Sequence, residues 1–147
     1  MLDELYQEVI LDHNNRPKHY GRLTKVTNTA KGYNPICGDT IVLDIESNED
    51  GSIKEVGFES NGCAISKAAA SIMTESVNKK DEQEIQKIID KFIEMTTSEV
   101  KRYSIDIDGD MAALSGVRMY PSRIKCANLP WHTLRAALKG DDVATTE

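Results

Sequence analysis

The chain has no long apolar run, no cluster of positive charge and few cysteines, and each lack closes off a class of function. No window approaches the roughly 18 apolar residues of a membrane-crossing helix. The start, Met1-Leu2-Asp3-Glu4-Leu5, is acidic and amphipathic, unlike the cationic-then-apolar pattern of a secretory leader. The 18 basic residues never run longer than two together, and 24 acidic residues leave a net charge of −6. Such a chain lacks the clustered charge that tracks nucleic-acid phosphates or an anionic membrane. The expectation is a cytoplasmic protein with no nucleic-acid or membrane partner. Its three cysteines are an odd number, and in a reducing compartment they stay thiols. There is no internal repeat, no low-complexity stretch and no composition shift. The 147 residues therefore predict one domain, 1–147, able to bury a core without disulfides.

The elements follow from periodicity. Leu2, Leu5, Tyr6 and Val9 recur at helical spacing and predict a helix over 2–13, ending near Asn14-Asn15 before Pro17. His13 and His19 read as surface polar residues. The Asn-, Gly-, Thr- and Pro-rich segment 14–36 reads as an extended loop. Thr40–Ile45 and Ile53–Glu59 read as strands joined by a turn at Asn48-Glu49-Asp50-Gly51. Ile65, Ala68, Ala69, Ile72 and Met73 predict a helix after Cys63, and Ile85, Ile88, Ile89, Phe92 and Ile93 another after a capping pattern at Asp81 and Glu84. Asp106-Ile107-Asp108-Gly109-Asp110 resembles the start of a calcium loop, but Gly falls at its fourth position and Val117 at its twelfth, so a solvated turn is the reading kept. Met111–Leu114 predicts a short helix. Pro130 suits a first helical turn, with Trp131, Leu134 and Leu138 as the apolar side of a last helix. Trp131 reads as packing and His132 as surface. The tail after Gly140 reads as frayed.

The chemistry concentrates at the cysteines. Cys37 and Asp39 precede the first strand of the hairpin, and Cys63 follows the second. Antiparallel pairing puts these two places at one end of the sheet. Cys63 and Cys126 each stand at a helix start, where the helix dipole favours a thiolate. Gly38, Gly62 and Pro35 set tight backbone geometry around them. Three thiolates and a carboxylate make a plausible tetrahedral zinc set, although no C-x₂-C pair is present. The spacing alone leaves metal ligation and buried thiols as two open readings. A carboxylate matches soft metals less well than a thiolate, which leans toward a site that opens or exchanges.

Asn34-Pro35-Ile36-Cys37-Gly38-Asp39, Gly62-Cys63-Ala64-Ile65-Ser66 and Arg123-Ile124-Lys125-Cys126-Ala127 closely resemble the SufU type of the IscU/NifU N-terminal family of iron–sulfur cluster assembly proteins. The opening Tyr6…Val9-Ile10…Asp12-His13…Pro17…Gly21 resembles that family too, so the likeness runs from about residue 5 to 138. It implies an α+β fold of the SufE/NifU-like, IscU type, with a small three-stranded antiparallel sheet packed against helices. The third strand would come from near 23–31. It implies Cys37, Asp39, Cys63 and Cys126 as metal ligands. Lys125 stands where IscU-type proteins carry a ligand His, and residues 118–125 lack the Leu-Pro-Pro-Val-Lys segment of a chaperone-recognised scaffold.

For mechanism the resemblance implies a zinc-dependent sulfurtransferase partner of a SufS-type cysteine desulfurase, accepting persulfide sulfur on Cys37. A His of the desulfurase would take a place on the zinc and release Cys37, while Asp39, Cys63 and Cys126 keep the metal. Other Suf assembly proteins are candidate further partners. One alternative is a scaffold assembling a [2Fe–2S] cluster, with transient iron, on the same ligands. Another is a structural zinc domain. Whether the protein counts as an enzyme stays open. Arg123 reads equally as a stabiliser of sulfur charge, a desulfurase contact or a surface ion pair, and Lys125 equally as a neighbour lowering the Cys126 thiol or as solvent-facing.

Overall fold

A computed structural model describes residues 2–97 and 109–145. The order is α1 (Leu2–Asn15), β1 (Asn28–Asn34), β2 (Asp39–Ser47), β3 (Ile53–Asn61), α2 (Ala64–Val77), α3 (Glu82–Thr97), α4 (Asp110–Leu114), 3-10 turns at Ser115–Met119 and Pro121–Arg123, α5 (Ile124–Lys139) and β4 (Val143–Thr145). The residues compared with a calcium loop fall mostly outside the described residues, as does the 98–108 part of the polar stretch between α3 and α4.

Alternation in β2 places Asp39, Ile41, Leu43 and Ile45 on one buried face, under the helices. Phe58, Ile72, Met73, Phe92 and Trp131 fill the layer between sheet and helices. The Phe92 and Trp131 rings stack with centroids 4.6 Å apart, so Trp131 is a packing residue as expected. At the start of α3 the Glu84 N–H donates to Asp81 Oδ1 at 2.8 Å and the Asp81 N–H to Glu84 Oε1 at 3.5 Å, the reciprocal cap read from the sequence.

The sheet departs from the three-stranded antiparallel expectation. It has four strands in the order β3-β2-β1-β4, and β4 runs parallel to β1. The tail is therefore not frayed through 143–145. Gly140 ends α5 at φ +80 and the Asp142 carbonyl accepts the Lys31 N–H at 2.8 Å, which delivers the chain onto the edge of β1. Three residues are too few to show a period, so this strand leaves no sequence pattern. Within the segment read as an extended loop, β1 forms over Asn28–Asn34, several residues later than 23–31.

Two other expectations change. Helix α5 begins at Ile124, earlier than Pro130 suggested, so Cys126 lies in its first turn and Pro130 inside the helix. Proline has no N–H, so the Cys126 carbonyl lacks its i+4 donor and the helix is loosened there. His13 is 1% exposed and not a surface residue, because it continues the Tyr6–Val9 stripe of α1. Its Nδ1 lies 2.6 Å from Ser71 Oγ and its Nε2 2.7 Å from Asp110 Oδ2, joining α1 to α2 and α4. His19 is half-buried against Thr74 Oγ1 at 3.1 Å. His132 is half-buried too, and burial first, then Arg135, pushes its imidazole below the usual range.

Candidate metal centre

The centre forms where the β1–β2 hairpin closes. Asn34 and Asp39 are its last paired residues, and the Gly38 N–H donates to the Asn34 carbonyl at 2.9 Å across the turn. Cys37 sits in that turn, half-buried, beside the exposed Ile36. Strand alternation turns Asp39 inward, so a carboxylate with 0% exposure enters the apolar layer. Such a group needs donors. The Cys63 N–H donates to Oδ1 at 2.8 Å and the Asn34 side-chain amide to Oδ2 at 3.1 Å.

β3 returns to the same end, and Cys63 is the N-cap of α2 at φ −78 and ψ 158, where the sequence placed it. Its Sγ lies 3.8 Å from Asp39 Oδ2. Cys126 is fully buried, its Sγ 3.4 Å from that of Cys37 and 3.5 Å from Asn34 Nδ2. The ligand atoms of Cys37, Asp39 and Cys126 all lie within 4.8 Å of one another, and Cys63 joins them through Asp39. All four residues singled out by sequence thus converge on one end of the sheet.

The hydrogen bond from Cys126 brings the Cys63 thiol down to about 7 against the opposing effect of burial, with help from the backbone N–H groups of Ser66 and Ile65. Pairing with Cys63 and burial push Cys126 up. The exposed Arg123 guanidinium is pushed up by its hydrogen bond to Cys126 and by the charges of Cys63, Cys126 and Cys37. Lys125 is exposed.

Two residues around the centre were given no role by the sequence. Asn34 was quoted only as part of a motif; once β1 is known, its place opposite Asp39 signals a role. Tyr6, on α1, is stacked on Tyr120 with centroids 5.8 Å apart and feels the charge of Cys63. Among the described residues its buried hydroxyl has no hydrogen-bond partner, and burial, then Tyr120 and Cys63, push the phenol up to about 12. A second group of metal-type ligands, His13, Glu75 and Asp110, lies outside this centre, with its imidazole already engaged on both nitrogens.

Comparison with known proteins places this geometry. The NifU-like N terminal domain matches residues 5–127. The chain belongs to that family. Over 138 residues this NifU-like domain is 38% identical to the iron–sulfur cluster assembly scaffold protein IscU of Streptococcus pyogenes serotype M1, covering 94% of this chain and 85% of the relative. It is 37% identical over 141 residues to the zinc-dependent sulfurtransferase SufU of Bacillus subtilis strain 168, covering 96% and 94%. Among solved structures it is similar to an iron–sulfur cluster assembly scaffold protein for the SUF system from Fervidobacterium islandicum AW-1, at 32% identity and a TM-score of 0.82, covering 92% and 97%. The family resemblance read from the three cysteine motifs is therefore correct, and so is the α+β fold class. Among the described residues no helix is long and apolar enough to cross a membrane.

Proposed function

We propose that this protein is a sulfur acceptor in iron–sulfur cluster assembly, a zinc-holding sulfurtransferase partner of a SufS-type cysteine desulfurase acting in the cytoplasm. The observation that carries the reading is the convergence of Cys37, Asp39, Cys63 and Cys126, with Cys37 alone of the three thiols in a turn. Three sulfurs and one carboxylate oxygen, gathered at one end of the sheet, fit Zn²⁺ as a donor set. When bound, the zinc would keep its thiols deprotonated at neutral pH. Asp39, Cys63 and Cys126 are the fixed holders and Cys37 the exchangeable one.

The sulfur step belongs to Cys37. Its thiolate attacks the outer sulfur of a persulfide on the desulfurase. A new S–S bond forms at Cys37, the S–S bond of the donor breaks, and the donor cysteine leaves as a thiolate. No net oxidation or reduction occurs. Arg123 lies where it would steady the negative charge on sulfur during the exchange.

The test is a mass measurement after mixing with the desulfurase and cysteine. A one-sulfur adduct mapped to Cys37, lost in Cys37→Ser, supports the reading. An adduct confined to Cys63 or Cys126 sinks it. A second reading, a scaffold for a nascent [2Fe–2S] cluster on the same four residues, draws on the scaffold names of two of the relatives. It calls for a brown protein whose cluster survives purification.

A further inference from the structure

We infer that Asn34 is a positioning residue that decides which thiol is free to react, by tying down the ligands that compete with Cys37. The inference rests on the proposed sulfur-acceptor reading for its purpose, but its geometry stands on its own. Asn34 is 0% exposed. Its amide nitrogen carries two N–H donors and has two acceptors within reach in the centre. Nδ2 lies 3.1 Å from Asp39 Oδ2 and 3.5 Å from Cys126 Sγ. The amide nitrogen, not its oxygen, faces the Asp39 carboxylate. The backbone is fixed as well, because the Asn34 carbonyl closes the turn with the Gly38 N–H at 2.9 Å.

The four ligands are held unequally. Asp39 has three donors, from Asn34, from the Cys63 N–H and from the Cys63 thiol at 3.8 Å. Cys126 has the Asn34 amide and a place in the first turn of α5. Cys63 is the N-cap of α2, and its backbone N–H is fixed on Asp39 Oδ1 at 2.8 Å. Cys37 meets the group through Cys126 Sγ at 3.4 Å and otherwise sits in a half-exposed turn before Gly38 at φ +73. One amide therefore clamps two ligands from opposite elements, the hairpin and α5, into one fixed wall. Cys37 Sγ lies within 4.8 Å of both clamped ligand atoms, but Cys37 sits in the turn and not on β2 or α5. A partner outside the ligand set that fixes ligand orientation typically changes metal affinity by about 10- to 100-fold when removed. Here it would also set the order in which the thiols become available.

The bland account is that Asn34 merely closes the hairpin. The two accounts separate on thiol order, which a loss of stability alone would not change. The full chain, zinc-loaded and metal-free, is exposed to limiting iodoacetamide and the modified cysteine is mapped by mass. In the wild-type zinc-loaded protein Cys37 is modified first. In Asn34→Ala the preference for Cys37 over Cys126 falls by about tenfold, and zinc is held about 10- to 100-fold more weakly in competition with a chromogenic chelator. Asn34→Ser keeps one donor, falls between, and serves if Asn34→Ala does not fold. Folded Ala or Ser variants that bind zinc like the wild type and keep Cys37 first overturn the inference. Mixing with the desulfurase and cysteine tells the two proposals apart. A wild type that takes no sulfur on Cys37, beside a variant with altered thiol order, removes the sulfur-acceptor reading and leaves Asn34 its role. A wild type that takes sulfur on Cys37, beside a variant with unchanged order and affinity, does the reverse.

Discussion

Gly62 lies so close to Asp39 that a Cβ on it would overlap Oδ1 and come within 2.8 Å of the Asp39 Cα. Its φ of +130 is also one that side chains rarely adopt. The bare backbone there lets the Cys63 N–H reach the Asp39 carboxylate at 2.8 Å. Gly62→Ala must push Asp39 aside. The expected result is a loss of about 1–3 kcal/mol in stability, from overpacking and strain, seen in urea unfolding of metal-free protein. Zinc affinity should fall by about tenfold or more, since the displaced carboxylate is one of the proposed ligands. Unchanged zinc affinity in a folded variant would remove Asp39 from the ligand set.

What the sequence disclosed here was mostly local. Hairpin logic brought Cys37, Asp39 and Cys63 together because that needs only two strands and a turn. The N-cap position of Cys63 followed from one apolar stripe. The contribution of Asn34 could not be seen without β1, whose residues Asn28–Asn34 alternate only weakly and carry a mid-strand glycine. His13 was missed for a different reason. Its position, seven after Tyr6 and four after Val9, fits the buried stripe, but what satisfies a buried imidazole is supplied by Ser71 and Asp110, which lie 58 and 97 residues away. Polar partners across such distances leave no periodic trace.

Tyr6 should tolerate loss of its oxygen. The ring is fixed by Tyr120 at 5.8 Å and by the close approach of Gly116, where an added Cβ would meet the ring at 3.0 Å. The buried hydroxyl has no partner among the described residues. Removing an unsatisfied polar atom while keeping the shape is neutral or stabilising. Tyr6→Phe is expected to hold or raise the melting temperature of the metal-free protein, by up to about 1 kcal/mol in stability. Tyr6→Ala should cost about 3–5 kcal/mol, as for loss of other large aromatic side chains. A Phe variant destabilised as strongly as the Ala variant would show that the hydroxyl carries the packing.

Asp44 gives the fold an acid-sensitive clasp. The side chain is 0% exposed, and it fastens the segment before β1 to the sheet. Arg22 donates to it through Nε at 2.6 Å and through a second nitrogen at 3.1 Å, Thr29 Oγ1 at 2.6 Å and the Leu23 N–H at 3.1 Å. Burial alone would raise the carboxyl, but the hydrogen bonds from Arg22, Thr29 and Leu23 outweigh it and hold it below the usual carboxylate range. The folded value is thus below the unfolded one of about 3.9. The clasp contributes in full above that unfolded value and is lost as pH falls through the depressed folded one. Asp44→Asn should destabilise by about 2 kcal/mol at pH 7, the order of a charge-assisted hydrogen bond lost. The gap between wild type and variant should narrow as urea midpoints are followed into acid. A gap that widens on acidification contradicts the assignment.

Removing the metal should soften the protein without unfolding it. The apolar layer holds Phe58, Ile72, Phe92, Trp131 and their neighbours, and it forms one continuous core that does not depend on the thiols. A chain of this size buries enough surface to fold without a metal staple, unlike a zinc finger. The four proposed ligands nevertheless join the β1–β2 turn to the starts of α2 and α5, so a bound ion ties three elements at one end. Binding to the folded state alone stabilises by about 4 kcal/mol when free zinc is a thousandfold above its dissociation constant. For a domain of this length that corresponds to roughly 10 °C in melting temperature. A zinc-loaded sample stripped with a strong chelator should therefore melt about that much lower in calorimetry. It should keep its far-ultraviolet circular dichroism at room temperature, and recover the higher melting point when zinc is restored. Asp39→Ala, compared with and without zinc, should show a much smaller shift than the wild type. Collapse of the helical signal on stripping would instead make the ion a condition of the fold and favour a structural zinc site over an exchanging one.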